Sequence, residues 1–146
     1  MIHFEGDRSF PQPPAEVSAR LGDATFLVSC LADVEVTEAT PTRAVWKMRP
    51  GFSFIRTKLE TTIDVLDHVA GTLTRYRLVS HGIGASSTVD VGLSYAPEGD
   101  GTRVHWIADI TQLSGLLKLA PRGLIQSAAQ KVVEDTWAAV GTRLAA

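Results

Sequence analysis

The chain has one cysteine, four histidines and no long apolar run. Cys30 is the only cysteine among 146 residues, so no disulfide can form within the chain and a reducing compartment is expected. No apolar run approaches the ~20 residues that a membrane-spanning helix needs. Residues 1–8 are charged and alternate in polarity, unlike a signal peptide. The sequence therefore predicts a cytoplasmic protein.

A basic excess is also absent. The 14 Lys and Arg residues are outnumbered by 16 Asp and Glu, for a formal net charge of −2. Because general nucleic-acid binders carry a basic excess, no nucleic-acid partner is expected. The sequence shows no internal repeat, low-complexity segment or linker, and its length suits one hydrophobic core. We therefore expect a single domain over residues 1–146, as a monomer or weak dimer.

The longest periodic pattern lies at the end of the chain. Apolar residues recur there at three- and four-residue steps, and Pro121 suits a first helical position. The pattern predicts a long amphipathic helix over residues 121–146, with an apolar stripe of Leu124, Ile125, Ala128, Ala129, Val132, Val133, Trp137, Val140 and Leu144. The middle of the helix is small: Ala128, Ala129, Val132 and Thr136. Small side chains allow either close packing on a sheet or an internal cavity, and the helix alone leaves both open.

Most of the preceding residues predict strands. Residues 2–10 alternate as a first strand, and two short helices follow, over residues 15–21 after Pro14 and over residues 24–29 capped by Asp23. From residue 33 the period changes to two, which predicts strands over residues 33–39, 42–48, 52–65, 69–80, 85–95 and 102–111. Turns are predicted at residues 49–51, 66–68, 81–84 and 97–101. This order implies an α+β fold, in which a curved antiparallel sheet of about seven strands grips the long helix.

The order of elements resembles the helix-grip fold of the SRPBCC superfamily, which START domains, Bet v 1-type plant proteins and polyketide cyclases share. Within this superfamily the chain is most similar to the CoxG-type family, whose name comes from carbon monoxide dehydrogenase. The stretches that carry the resemblance are residues 4–10 (FEGDRSF), 14–17 (PAEV), 21–23 (LGD), 30–31 (CL), 82–85 (GIGA), 101–103 (GTR), 114–119 (SGLLKL) and 122–125 (RGLI). The resemblance covers essentially the whole chain. It implies a hydrophobic cavity between the sheet and the long helix, which holds a lipid, isoprenoid or aromatic ligand.

The predicted inner faces of the strands carry hydroxyl and apolar groups, with no His, Asp, Glu or Cys. Hydroxyls of ordinary pKa are poor bases, so no catalytic residue is predicted and enzymatic activity is left open, with a non-catalytic role favoured. A neutral ligand, held by burial and oriented by a few hydroxyls, suits such a surface. The alternative is that the hydroxyls bond only to neighbouring groups of the protein. The predicted cavity residues are Leu59, Thr61, Ile63, Thr74, Tyr76, Leu78, Val89, Val91, Leu93, Trp106, Ala128, Ala129, Val132 and Thr136.

The remaining reactive residues predict no metal site and no cofactor. No two of the four histidines (His3, His68, His81 and His105) share metal-ligand spacing on one element. Cys30 is expected to be a buried, inert thiol. The predicted cavity mouth consists of His81, Ile83, Leu116 and Leu117. A solvated loop is the alternative for the histidine, and close packing is the alternative for the leucines.

Half of the 14 cations lie in strands of one contiguous segment: Arg43, Lys47, Arg49, Arg56, Lys58, Arg75 and Arg77. They form either a solvated sheet face or a contact for an acidic partner, such as an anionic membrane surface or an acidic protein. Leu116, Leu117 and Leu119, beside Lys118, could insert into a membrane.

Three functions agree with these patterns. The first is non-catalytic binding or carrying of a hydrophobic small molecule. The second is a polyketide cyclase- or aromatase-like enzyme, which requires a polar residue such as Arg75 or Arg77 to point inward. The third is an assembly or recruitment factor for a carbon monoxide dehydrogenase-like enzyme, peripheral at the membrane.

Overall fold

The computed structural model describes residues 2–48, 58–82 and 84–146. These residues form one seven-stranded antiparallel sheet in the order β1-β7-β6-β5-β4-β3-β2. The strands are β1 (Ile2–Phe10), β2 (Glu35–Ala39), β3 (Arg43–Met48), β4 (Leu59–Val69), β5 (Leu73–Gly82), β6 (Ala85–Glu98) and β7 (Gly101–Gly115). The helices are α1 (Pro14–Leu21), α2 (Ala24–Ser29), α3 (Leu116–Leu119) and α4 (Arg122–Ala145). The predicted α+β order is confirmed, with the short helix α3 as an addition.

Parts of the predicted pattern cannot be compared with the structure. The predicted turn at residues 49–51, the first part of the predicted strand at residues 52–57, and Ile83 lie outside the described residues. None of the described helices is long and apolar enough to cross a membrane.

The two short helices begin where the sequence predicts. Pro14 takes the first position of α1, where its missing N–H leaves no bond unmade. The Asp23 carboxylate caps α2 by accepting a hydrogen bond from the backbone N–H of Thr25, at 2.9 Å. Ser18, buried in α1, accepts a 2.7 Å hydrogen bond from the backbone N–H of Gly71 in the β4–β5 turn. The helix pair is therefore anchored to one end of the sheet.

The reversal between β4 and β5 lies later than predicted. Alternation predicts a turn at residues 66–68, but β4 continues to Val69 and the chain turns at residues 70–72. A bulge between Val65 and Asp67 shifts the pairing by one residue, which interrupts the alternation without ending the strand. Gly71 then adopts a φ of 74°, a conformation that glycine reaches without strain. The predicted turn is wrong because the bulge imitates a strand end.

The next two turns are tighter than predicted. His81 and Gly82 belong to β5, not to a loop, and Gly82 pairs with Ala85 of β6. In the predicted turn at residues 97–101, pairing continues to Glu98 and Gly101, so that residues 99–100 alone reverse the chain. The two-residue turn at 99–100 suits an antiparallel hairpin, because the twist of such turns matches that of the strands.

Pairing aligns the inward side chains of neighbouring strands into rows across the sheet. One row contains Ile63, Leu78, Val89, Ile110 and Ile2, and the next contains Val65, Tyr76, Val91, Ala108 and Phe4. The odd-numbered residues of β4 up to Val65 and the even-numbered residues of β5 share this inner face, as alternation predicts.

Two buried clusters join the inner face to the helices. The first cluster lies under α1, α2 and the C-terminal half of α4, and includes Val17, Leu21, Trp106, Val140 and Leu144. The second cluster lies at the start of α4 and consists of Ile2, Leu59, Ala85, Ile110, Leu117 and Ile125. Helix α4 is therefore fastened to the sheet near both of its ends.

The apolar stripe of α4 is narrower than predicted. Its buried residues are Ile125, Val140 and Leu144, and Val133 and Trp137 are partly buried against the first cluster. Leu124 is 45% exposed, so its predicted place on the stripe is wrong. A one-residue step turns a side chain by about 100° around a helix, and Leu124 therefore points away when its neighbour Ile125 points inward.

Candidate functional site

The inner face is covered incompletely at the centre of the sheet. Leu78, Val89 and Val91 are only partly buried, although β5 and β6 have a strand on each side. Helix α4 is the element that runs across this face, and it packs closely near its two ends. The middle of α4 therefore covers the central strands less completely than its two ends do.

The middle of α4 supports the same conclusion. Ala128, Ala129 and Thr136 remain partly accessible. Val132 lies seven residues after the buried Ile125, and so on nearly the same side of the helix, yet it is 53% exposed. The middle of α4 is therefore more accessible than its ends, and its small residues are only partly covered by the sheet.

The predicted cavity residues divide into two groups. Some are buried within the packed core: Leu59, Thr61, Ile63, Thr74, Tyr76, Leu93 and Trp106. The others are half-buried or, for Val132, exposed: Leu78, Val89, Val91, Ala128, Ala129, Thr136 and Val132. Alternation identifies the inner face correctly, but it does not separate core positions from accessible ones.

The predicted mouth residues also differ from one another. Leu117 is buried in the second cluster, whereas Leu116 is 42% exposed. The exposed His81 side chain lies 3.4 Å from the Glu60 carboxylate. Both of these residues are at the end of the sheet where β4 begins, the end that also carries α3.

A row of hydroxyl groups crosses the inner face next to the half-buried Leu78 and Val89. Thr61 of β4 pairs with Ser80 of β5, which pairs with Ser87 of β6. The Thr61 and Ser80 hydroxyl oxygens lie 2.8 Å apart, and Ser80 and Ser87 are half-buried. Trp46 of β3 extends the row, and its buried indole N–H has no acceptor among the described residues. We call Thr61, Ser80 and Ser87 the hydroxyl row.

A second polar group lies deeper, within the first cluster. The Thr74 hydroxyl oxygen is 2.6 Å from the Tyr95 hydroxyl and 2.9 Å from His68 Nδ1. The bulge in β4 brings His68 to the inner face, so the expectation of an inner face without histidine is wrong. Burial raises the pKa of Tyr95 to about 12. The Tyr76 hydroxyl donates to the Leu21 carbonyl, and burial raises the pKa of Tyr76 well above its ordinary value. Because of these raised pKa values, both tyrosines stay neutral. Their hydroxyls bond to other core residues, and neither is placed to act as a base.

The outer face of the sheet carries the charges in pairs. Arg75 lies 3.5 Å from Asp67, and Arg77 lies 2.9 Å from Asp90. Both arginines are exposed and point away from the helix. Arg43 and Lys58 have acidic neighbours as well, at 3.4 Å and 3.7 Å. The outer face is therefore a mixed-charge surface; Arg49 and Arg56 lie outside the described residues.

A chain of histidines and carboxylates on the outer face of β1 and β7 was not apparent from the sequence. His3 Nδ1 lies 2.5 Å from Asp109, and Glu5 lies between His3 and His105, at 3.2 Å and 3.1 Å. Hydrogen bonds, first to Asp109 and then to Glu5, raise the pKa of His3. Only the pairing of β1 with β7 brings these groups together, so spacing along the chain gives no signal for them.

The remaining described metal-ligand side chains and the Cys30 thiol form neither a metal site nor a reactive centre. In the described ranges, no three or more His, Cys, Asp or Glu side chains are arranged to hold a metal ion. Cys30 is buried, as predicted, and its thiol donates to the Phe26 carbonyl at 3.3 Å. Burial raises the pKa of this thiol, which keeps it protonated and unreactive.

Two open grooves lie at the surface, one near each edge of the sheet. One has a volume of about 830 Å³ and lies beside β1 and α4, next to His3 and Lys131. The other, of about 500 Å³, lies beside β2 and β3, next to Glu35 and Lys58. Charged side chains line both grooves.

The family profile described as polyketide cyclase/dehydrase and lipid transport matches residues 1–145. The chain belongs to this family. No curated protein matches the sequence significantly.

Several solved structures share the fold at low sequence identity. A conserved protein from Geobacillus kaustophilus superposes with a TM-score of 0.84 at 13% identity, covering 99% of this chain and 95% of that one. A START superfamily protein from Mycobacterium smegmatis gives 0.69 at 9% identity, covering 97% and 96%. A Thermus thermophilus protein gives 0.66 at 21% identity, covering 98% and 97%. The fold is therefore the START-like helix-grip fold that the sequence predicts.

Proposed function

We propose that the protein binds or carries a hydrophobic small molecule, without catalysis, in the space between the sheet and α4. The observation that carries this proposal is the incomplete burial of Leu78, Val89 and Val91 between two well-packed clusters. Membership of a family described by lipid transport supports the proposal. Covering these apolar side chains with a ligand is favourable by roughly 25 cal/mol per Å² of apolar surface removed from water.

The first test detects a bound ligand and then blocks its site with a bulky substitution. Native mass spectrometry and organic extraction of the purified protein would show a bound hydrophobic compound. Nile red, a neutral probe whose fluorescence rises in apolar surroundings, would measure the site directly. Val91→Phe adds bulk to the open space and should weaken Nile red binding about tenfold.

The matched control is Val79→Phe, which makes the same change on the outer face of β5. Val79 pairs with Thr62 and Thr88, away from α4, and is half-buried like Val91. We expect unchanged Nile red affinity in this variant. If the wild-type protein binds neither Nile red nor any extractable compound, the carrier function is rejected.

The cyclase-like alternative has less support. Arg75 and Arg77, its named candidates, are exposed and ion-paired on the outer face. Nearer the space, Thr61, Ser80 and Ser87 are neutral hydroxyls with no described histidine or carboxylate beside them on their row. A narrower relation to the CoxG-type family, with a role in recruitment or assembly of a carbon monoxide dehydrogenase-like enzyme, stays a prediction.

One surface supports a second candidate function, a peripheral contact with an anionic membrane. Leu116 and Leu124 are 42% and 45% exposed, and Leu119 is 81% exposed. Lys118 lies among them, and residues 110–133 contain no Asp or Glu. Exposed leucines beside cations suit the boundary between lipid headgroups and acyl chains. Such a contact would place the α3 end of the space next to a source of hydrophobic ligand.

Vesicle flotation tests this contact. Wild-type protein should float with phosphatidylglycerol vesicles at low salt, and less with phosphatidylcholine vesicles or at high salt. Leu119→Glu should abolish flotation. Val69→Glu, at a 52% exposed valine at the opposite end of β4, is the matched control and should float normally. Equal flotation of both variants would rule out a contact through α3.

A further inference from the structure

The hydroxyl row marks where one end of the ligand lies. We infer that the ligand is a neutral amphipathic molecule, such as an alcohol, ketone or ester of a long apolar chain, whose polar oxygen binds at Ser80 and Ser87. This inference rests on the proposed carrier function and adds the chemical class of the ligand and its orientation.

The position of the row follows from the strand register. Along β6, Ser87 comes two residues before Val89 and four before Val91, and all three share the inner face. Two residues of a strand span about 6.8 Å, so the partly buried valines lie roughly 7–14 Å from Ser87. A polar end therefore adjoins an apolar floor long enough for part of a hydrocarbon chain.

The hydroxyls of the hydroxyl row can form more hydrogen bonds than they make to described residues. Whichever of Thr61 and Ser80 donates across their 2.8 Å contact, the hydroxyl hydrogen of the other is still available. The Ser87 hydroxyl makes no hydrogen bond to any residue that the structure describes. Both serines are half-buried, so a molecule in the space can reach them. Two hydroxyls that can each donate and accept suit a single carbonyl or hydroxyl oxygen.

The surroundings of the row disfavour a charged head group. The neighbouring inner-face positions on β5 and β6 are Leu78, Gly82, Ala85 and Val89, none of which carries charge. The inner-face ionisable residues of the described strands are distant: His68 is bonded to Thr74, and Arg8 lies beside Val104. Val104 pairs with Tyr95, eight residues along β6 from Ser87, or about 27 Å. A carboxylate at the row would lose its hydration, and the described strands supply no counter-ion for it there.

The same contacts set the direction of the ligand. The row lies next to the second cluster and the α3 end of the sheet, whereas the apolar floor runs from Val89 toward the first cluster and Trp137. The apolar chain is therefore inserted toward the aromatic end, and the polar oxygen stays near the α3 end.

The test compares three probes of equal chain length, decane, 1-decanol and decanoate, by displacement of Nile red. Wild-type protein should bind decane and decanol, and decanoate more weakly at pH 8. The double variant Ser80→Ala, Ser87→Ala should lose about three- to tenfold in decanol affinity, the usual net value of one or two hydrogen bonds, and keep its decane affinity. Ser87→Ala alone breaks no hydrogen bond to a described residue and should show part of the same loss, so the test survives if the double variant is unstable.

The matched control is Ser86→Ala, Thr88→Ala, which makes similar changes at the flanking positions of β6. These residues pair with His81 and Val79 on the outer face, and both probes should bind this variant as they bind wild type. Equal loss of decane and decanol in the row variant, or tighter binding of decanoate than decanol to wild type, would overturn the inference and leave the carrier function standing. Failure of wild type to bind any probe would reject both.

Discussion

The hydroxyl oxygens of Tyr95 and Thr74 lie 2.6 Å apart in the core, and Thr74 also lies 2.9 Å from His68 Nδ1. Thr74 has no exposed surface, so its hydroxyl can be satisfied only by these neighbours. It joins residues on β4, β5 and β6 at the end of the sheet that α1 and α2 cover. The bonds therefore stabilise the end of the sheet that α1 and α2 cover.

Thr74→Val should destabilise the protein by about 1–3 kcal/mol, because it keeps the shape of the side chain but leaves the Tyr95 hydroxyl buried without its partner. Urea unfolding followed by circular dichroism measures the change. Thr62→Val is the matched control, since Thr62 is half-buried on the outer face of the same sheet. We expect the control to change stability by less than about 0.5 kcal/mol. Equal effects would show that the bond with Tyr95 contributes nothing.

Tyrosine ionisation should be coupled to unfolding. Tyr76 and Tyr95 are the only tyrosines, and burial raises the pKa of Tyr95 to about 12 and that of Tyr76 well above its ordinary value. Unfolded tyrosine titrates near 10, so their contribution to stability is complete below that pH and declines as pH rises toward 12.

Absorbance at 295 nm and far-ultraviolet circular dichroism, recorded on the same samples, test this coupling. The phenolate signal should appear only together with the loss of secondary structure. Tyr95→Phe should halve the final amplitude. A tyrosine that titrates near pH 10 while the protein stays folded would contradict the burial of these hydroxyls.

Protonated His3 should stabilise the pairing of β1 with β7. Hydrogen bonds, first to Asp109 and then to Glu5, raise the pKa of His3 above its ordinary value of 6.5. A raised folded-state pKa contributes stability that is complete below the unfolded value and is lost as pH rises through the folded value. His3→Gln should therefore lower Tm at about pH 5.5 more than at about pH 8.5. A pH-independent effect of His3→Gln would exclude the ion pair as its cause.

Two glycine-to-alanine changes should have opposite effects. A Cβ at Gly101 would collide with the backbone carbonyl of Phe10, which cannot move without breaking the edge of the sheet. Gly101→Ala should therefore cost about 1–3 kcal/mol. Gly123, in the first turn of α4, has nothing within 4 Å of its Cβ position. Gly123→Ala should stabilise by up to about 1 kcal/mol, because alanine favours the helix and restricts the unfolded chain. Thermal unfolding of the two variants and wild type measures both changes. Tm should fall for Gly101→Ala and rise for Gly123→Ala.

Much of the fold could be predicted from local patterns. The starts of α1 and α2 follow from Pro14 and Asp23, because an N-terminal proline and a capping carboxylate act within one helical turn. The inner faces of β4 to β7 follow from alternation, because successive side chains of a strand point to opposite faces. The β4–β5 turn could not be predicted, since the bulge after Val65 disrupts the alternation that marks a continuous strand.

The candidate site was predictable only in part. The antiparallel sheet, the helix that it grips and the mainly apolar and hydroxyl-bearing inner face were predictable, because they depend on the order and period of the residues. Which inner positions stay accessible was decided by the tertiary structure: α4 packs on the sheet through Ile125 and Val140 and leaves Val91 partly uncovered between them. The hydroxyl row likewise exists only once strand register aligns Ser80 with Ser87. Strand register and the closeness with which α4 packs on the sheet depend on contacts between residues far apart in the chain. A local sequence pattern therefore cannot predict them.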